Sequence, residues 1–573
     1  MQLNNPNKYR DPLILFVFPL ILAFINSNWI FTPATNYIPD PWFYLAYFRY
    51  FFEYAPAFPS NTHYFVERLT WNVPGHYLYE LLPPLQANYF LHLIVYYVAV
   101  FSLYGTLNLL FNRRTALISA LLMGGYPWFL RAVGWDYTDG AGIAHMLLLI
   151  YLLTFAHYSD RYRLWLLLAG AVHSSLLITN LSWLGYALSW TLYFIFLNIH
   201  TKKFRGSHFI FAAGFFLIGS LVPVVVAGLF YYQVTGNYFF LLNSIRSAIS
   251  LTSDNINVQW VLFIYGHQRP IWHTLPIVIA VVSIWRIFSS KRDKTNYIFI
   301  AIYILFLSAY GWLTFWHYFS IPLLNVFTYS SYVMPAVFLL IGATVSTYLN
   351  ELSGKNFNIV TAWTVVLLAL PFILLFLFPN IENLPGNIFI IATFSIMLLA
   401  LLILPSQKVS FLLIVCALTF LYFFVGESSY VYISDRLKGR ENFLAIISAS
   451  QTIDAYYPHR EYDDFRLWFR ADENYDTFFS LASLYLYPWG SALGNPLSRK
   501  DPPLEFHLEK RDILEPEDHI IIVSSNSNRN EIVSDINSLI SNRDVRLELL
   551  TTKTIQEGKV RFVLYFTKVE SLP

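Results

Sequence analysis

Two short stretches carry carboxylates where chemistry could be done. In Ile38-Pro39-Asp40-Pro41-Trp42-Phe43-Tyr44, Asp40 is the first charge after a long apolar run, in a turn set by its flanking prolines. A lone carboxylate facing an aromatic-walled cleft is a candidate base. Asp is equally suited to capping a helix that starts at Trp42. In Gly134-Trp135-Asp136-Tyr137-Thr138-Asp139-Gly140, two carboxylates three residues apart share a face if the turn is helical. They could hold a divalent cation or orient sugar hydroxyls. Asp139 has a structural alternative, as cap of a helix beginning at Gly140 or Ala141. Asp136 has none. His63 and His76 could join Glu67 or Glu80 on a metal, although their spacing matches no defined motif.

The elements that must place these residues are membrane helices. Of 573 residues 56% are apolar and 13% charged, against about a quarter charged in soluble domains. Apolar runs near 12–32, 89–111, 115–133, 141–157, 164–179, 182–199, 209–231, 271–288, 296–314, 329–349, 359–378, 388–404 and 409–426 predict a polytopic α-helical membrane protein with about 13 transmembrane helices. The first run is too long for a signal-peptide core and lacks a cleavage site, so it is expected to be retained. The single cysteine, Cys416, forms no internal disulfide, and a net charge of +2 points to no nucleic-acid partner.

Short-loop charge sets the orientation. With a cytoplasmic N-terminus, the inner segments hold Lys8, Arg10, Arg113, Arg114, Arg161, Arg163, Lys202, Lys203, Arg205, Arg286, Lys291, Arg292, Lys294, Lys355 and Lys408. The outer segments before the tail hold only Arg49, Arg68, Arg131, Arg246 and Arg269. An odd span count then puts residues 427–573 outside, in the inner or plasma membrane of a cell. The long loops, 33–88 and 232–270, are outer ones, and long loops in compact proteins are usually functional. The expected organisation is a transmembrane domain over 1–426 and an extracytoplasmic α/β domain over 427–573. In the tail, 465–469, 519–524, 546–551 and 560–567 predict strands, and 477–486 and 530–541 helices.

No carboxylate before the tail falls in the middle third of a predicted span. Ion-coupled transporters generally carry ionisable groups at membrane depth. A flippase or exporter of lipid-linked glycans should also need charges along a transbilayer path. Both are disfavoured, and an enzyme working at the outer face is expected.

Three stretches then carry a resemblance. Asp40-Pro41-Trp42-Phe43-Tyr44, Arg68-Leu69-Thr70-Trp71-Asn72-Val73-Pro74-Gly75-His76-Tyr77 and Trp135-Asp136-Tyr137-Thr138-Asp139-Gly140, in that order and on one membrane side, are similar to the GT-C glycosyltransferases. The nearest type is family 39, which includes protein O-mannosyltransferases and lipid A aminoarabinose transferases. The motifs cover roughly residues 1–160, the rest resembling the family by topology. The resemblance implies GT-C architecture and a polyprenyl-phosphate-linked sugar donor. It also implies an essential Asp after span one, matched by Asp40, and a second after span three, matched by Asp136. Pro41 stands where a second acidic residue commonly follows, and Arg68 is the nearest basic residue to Pro74.

The chemistry suits the residue types. Polyprenyl phosphate leaves readily, so transfer needs one base for the acceptor hydroxyl rather than a glycosidase's acid and base. Developing phosphate charge needs cations. Arg68, Arg246, His267 and Arg269 are the outer candidates, with lipid-headgroup contact as the alternative for Arg246 and Arg269 of the 232–270 loop. Trp71, Tyr77, Trp312 and His317 could shape a sugar cleft. The function expected is inverting sugar transfer from polyprenyl phosphate to an acceptor at the outer face. An oligosaccharyl- or polymer-transferring relative is the alternative. No cofactor is certain, a divalent cation at the Asp136–Asp139 turn being one option. The sugar and the acceptor (protein, lipid or glycan) are not specified by the sequence.

Overall fold

A computed structural model describes residues 10–25, 40–57, 64–134, 137–199, 207–238, 240–253, 279–280, 283–284, 287, 294–319, 331–351, 433–457, 466–469, 517, 519–524, 545–558 and 560–571. The first span is described as α1 (Arg10–Ile25). The long first loop is mostly helical. It holds α2 (Asp40–Ala57), a 3-10 turn (Tyr64–Glu67) and α3 (Leu69–Leu81). Proline at the first position then opens α4 (Pro84–Leu110), where a missing N–H costs nothing.

The span expected over 115–133 is two helices, α5 (Arg113–Gly124) and α6 (Pro127–Gly134). Pro127 has no N–H to continue α5 and restricts Tyr126, so the chain breaks there and restarts. Asn112 caps α5, its side chain accepting the Thr115 N–H at 2.9 Å. Next come α7 (Thr138–Tyr158) and α8 (Tyr162–Thr179). The span expected over 182–199 opens as a 3-10 turn (Leu181–Tyr186) before α9 (Ala187–Ile199). Then follow α10 (Ser207–Thr235), α11 (Leu242–Ser253), α12 (Lys294–Phe319), a 3-10 turn (Ser331–Val333), α13 (Met334–Glu351) and α14 (Ile433–Tyr456). The spans expected over 359–378, 388–404 and 409–426 lie outside the described residues, as does most of 271–288. Among the described residues, 84–110, 138–158, 162–179, 208–235 and 296–316 are long and apolar enough to cross a membrane.

α7 is the central helix, with 78% of its most apolar stretch buried, packed between α4 and α8. α8 and α10 approach closely at small residues. A Cβ on Gly170 would overlap the Phe216 carbonyl, and Ser220 Oγ donates to Gly170 O at 3.1 Å. Small residues let membrane helices meet backbone to backbone. The outer face of α10, with Ile210, Phe211, Leu217, Leu221, Val225 and Leu229, is exposed, as a lipid-facing surface should be. At one end of the bundle buried Asp11 pairs with Arg113, joining α1 to α5. The candidate residues gather elsewhere, around the starts of α2, α3 and α7.

The tail contains a four-stranded sheet, β1 (Arg466–Phe469), β2 (His519–Ser524), β3 (Val545–Glu557) and β4 (Val560–Ser571), in the order β1-β2-β4-β3. β1 runs parallel to β2, and the other pairs are antiparallel. The β3–β4 hairpin turns at Gly558, whose φ of +56° suits glycine. β3 and β4 outrun their expected ends because inward Ile555 and Val569 prolong the buried face. The helices expected over 477–486 and 530–541 lie outside the described residues. α14 was not anticipated. It packs on β3 and β4, with Ser448 Oγ donating to Glu557 at 2.8 Å. It also reaches the first loop, where Asp454 accepts from Arg49 at 2.7 Å and the rings of Trp42 and Phe443 lie 6.5 Å apart. Arg49 thus pairs across 405 residues of sequence.

Candidate functional site

Arg68 occupies the joint between the Tyr64–Glu67 turn and α3. Its carbonyl accepts the N–H groups of Trp71 and Asn72, both at 3.0 Å, and its own N–H donates to Phe65 O at 3.2 Å. Asn72 Nδ2 closes the joint on Phe65 O at 2.7 Å. The backbone is therefore fixed, and the side chain is 6% exposed.

That buried guanidinium is lined by aromatic faces: its carbon lies 4.7 Å from the Tyr64 centroid, 5.5 Å from Tyr44 and Phe65, and 5.6 Å from Tyr137. Ring faces attract a cation, more so when water is excluded. Nη1 donates to Tyr44 Oη and, at 3.2 Å, to Thr138 Oγ1. Both acceptors are neutral. Among the described residues no carboxylate pairs with Arg68.

Those two acceptors bring the motifs together. Tyr44 lies one helical turn after Asp40, which opens α2. Thr138 lies two residues after Asp136 and opens α7. One cation, from the motif between them in sequence, is thus bonded to both carboxylate-bearing stretches. The Asp40 side chain and all of Asp136 lie outside the described residues.

Asp139 is fully buried in the first turn of α7. The cap position is Tyr137, so Asp139 is not the cap that its sequence position suggested. Its Oδ1 accepts from Tyr332 Oη at 2.8 Å, and that phenol oxygen accepts from Asn180 Nδ2 at 2.9 Å. The Trp183 ring stacks on Tyr332 at 4.1 Å. The chain Asn180–Tyr332–Asp139 draws three separate parts of the sequence into one wall.

Glu67 faces a different element. Its buried carboxylate accepts the N–H groups of Asn243 at 3.0 Å and Ser244 at 2.8 Å, in the first turn of α11. Burial raises its pKa, outweighing the lowering by these bonds. The 232–270 loop is thereby tied, through α11, to the residue beside Arg68.

Trp71 is only 2% exposed, its ring edge-on to Phe48 at 5.6 Å, so it packs α3 on α2. Gly75 belongs to the same crossing, since a Cβ there would overlap the Phe48 ring, and His76 Nδ1 lies 3.0 Å from Phe48 O. Tyr77 is 51% exposed. Arg246 is exposed in the second turn of α11. His63, His267, Arg269 and the His317 side chain lie outside the described residues. Among the described residues no three His, Cys, Asp or Glu side chains gather as a metal site. Tyr64, Thr138, Asn180 and Tyr332 escaped sequence reasoning. Tyr44 stands one helical turn after Asp40, a spacing that could have marked it.

No protein-family profile and no curated protein matches the chain. Solved structures do. ArnT from Cupriavidus metallidurans bound to undecaprenyl phosphate aligns with a TM-score of 0.52 at 12% identity, over 97% of this chain and 98% of that one. The same protein in the apo state gives 0.46 at 14% identity over the same shares. An apo oligosaccharyltransferase from Archaeoglobus fulgidus gives 0.42 at 12% identity, over 93% of this chain and 71% of that one. The first likeness establishes that the chain shares the fold of ArnT.

Proposed function

We propose that the chain is an inverting glycosyltransferase that moves a sugar from a polyprenyl-phosphate donor to an acceptor hydroxyl at the outer membrane face. The observation that carries this is the buried guanidinium of Arg68, bonded to neutral groups one turn from Asp40 and two residues from Asp136. A desolvated cation whose acceptors among the described residues are neutral suits a phosphate oxygen. The fold shared with ArnT, which was solved with undecaprenyl phosphate, supports that donor class.

In the proposed reaction the acceptor oxygen attacks the anomeric carbon from the face opposite the phosphate. Asp40 takes the hydroxyl proton. The bond from the anomeric carbon to the bridging oxygen breaks, and its electron pair leaves with the polyprenyl phosphate, which gains one negative charge. Arg68 holds that charge, and attack from the opposite face inverts the anomeric centre. Asp136 orients the donor sugar or holds a divalent cation. Asp139 is a poorer candidate for free contact, because Tyr332 already donates to it. Arg246 and Tyr77, both exposed, are further candidates for donor contact, and His267 and Arg269 remain candidates by sequence.

The test is transfer of a labelled sugar from a polyprenyl phosphate by purified protein, wild type against Arg68→Ala. Saturable transfer that Arg68→Ala abolishes supports this function. Equal activity in both proteins would remove the phosphate role and leave the function without its main support.

A further inference from the structure

α11 begins in a way its own sequence does not favour. The first turn of a helix has N–H groups with no intrahelical acceptor, which Ser, Thr, Asp or Asn at the cap usually satisfies. Here the cap residue is Leu241, whose carbonyl accepts the Ile245 N–H at 3.0 Å and whose side chain has no acceptor atom. Its φ of +68° lies in the left-handed region, unusual for a residue with a branched apolar side chain. Such strain persists only where surrounding structure over-determines it.

What over-determines it is Glu67. Its carboxylate accepts from Asn243 and Ser244, the second and third residues of α11, and so performs the capping from 176 residues away. The carboxylate is wholly buried, although burying a charge is costly and a serine at 241 would cap without it. Stability of α11 alone therefore does not account for the arrangement. Position does. Glu67 is covalently next to Arg68, and α11 also touches the Leu181–Tyr186 turn that carries Trp183. α11 thus bridges the Arg68 side and the Tyr332–Asp139 side, with Arg246 in its second turn.

We propose that Glu67 is a positioning residue that docks α11 as a wall of the donor-phosphate pocket and thereby sets capture of the lipid-linked donor. The inference rests on the transferase reading above. It assigns Glu67 no contact with the donor and no part in the chemical step.

The test uses the full-length protein in detergent or nanodiscs, with Glu67→Ala, Glu67→Gln and the double variant Glu67→Ala/Leu241→Asn. Asn supplies a local cap and tolerates positive φ. Hydrogen exchange reads the docking of 242–253, and initial rates against an undecaprenyl-phosphate sugar separate KM from kcat. Glu67→Ala should speed exchange over 242–253 while 138–158 stays protected. It should raise donor KM roughly 3- to 30-fold, the equivalent of a lost cap, with kcat nearly unchanged. Leu241→Asn should restore both, and Glu67→Gln should fall between. Unchanged exchange in Glu67→Ala overturns the proposal, as does faster exchange with unchanged KM. A fall in kcat and thermal stability together, which Leu241→Asn does not rescue, also overturns it. Should the wild-type chain show no saturable transfer, the transferase reading has failed and this proposal with it. Should wild type and Glu67→Ala saturate alike, this proposal alone falls.

Discussion

Arg68 Nη1 lies 3.2 Å from Thr138 Oγ1, joining the first loop to the first residue of the central helix across 70 residues of chain. The same nitrogen donates to Tyr44, so one buried cation spans α2, α3 and α7. A charge so placed is stable only with strong acceptors or with an anion that visits.

Replacing Arg68 should therefore act on donor binding before anything else. Nη1 alone donates to both Tyr44 and Thr138, so Arg68→Lys can keep the charge and those contacts but loses the remaining guanidinium N–H donors that a phosphate would use. It should weaken binding of undecaprenyl phosphate about tenfold or more, in line with roughly 1.5–3 kcal/mol for a charge-assisted hydrogen bond. Binding titrations with the purified variants check this, with thermal unfolding as control. Undiminished binding in Arg68→Lys would remove the phosphate assignment.

Asp136 and Asp139, three residues apart, should separate in their effects. Asp139 is held by Tyr332 in a buried wall, so Asp139→Asn and Tyr332→Phe should mainly lower stability, by about 1–3 kcal/mol for a buried group losing its partner. Asp136→Asn should lower turnover strongly at normal expression. Rates with and without a chelator then separate a cation from direct contact with the donor. Wild-type turnover in Asp136→Asn would end its assignment.

The architecture was legible where the physics is local. Runs of apolar residues long enough to cross a membrane located α4, α7, α8 and α10 within a few residues. A short run of β-branched residues, Ile520 to Val523, located β2 to the residue. Breaks inside an apolar run were harder, because hydropathy is blind to the backbone: Pro127 splits what reads as one span. α14 lacks an unbroken apolar run, yet Phe443, Ile446, Ala449 and Ile453 recur at helical spacing and are all buried.

The site divides in the same way. Asp40, Arg68 and Asp136 stood out because their motifs are short and ordered along the chain. Asn180 and Tyr332 carried no comparable mark, since 152 residues separate the two and only folding makes them neighbours. Trp71 packs α3 on α2, which its residue type alone did not reveal. Residue type cannot distinguish a tryptophan that packs two helices from one that lines a cleft.

Side assignment gives an independent prediction. The charge asymmetry places Thr201–Ser207 and Ser289–Lys294 inside and the tail outside. In intact cells of a Cys416→Ser variant, an impermeant thiol reagent should label a cysteine introduced at Asn526 and spare one at Lys203. The opposite pattern would put the proposed site on the wrong side of the membrane for its acceptor.

Asp40 bears most directly on the central claim. Asp40→Asn keeps the shape of the side chain and its capacity to cap a helix, but it cannot accept the acceptor's proton. The decisive measurement is single-turnover sugar transfer from an undecaprenyl-phosphate donor by the purified variant, with donor binding and thermal stability measured alongside. With Asp40 as the base, transfer falls by roughly 10²–10⁴-fold while binding and stability stay close to wild type. If Asp40→Asn transfers sugar at the wild-type rate, Asp40 is a cap and the proposed mechanism is wrong.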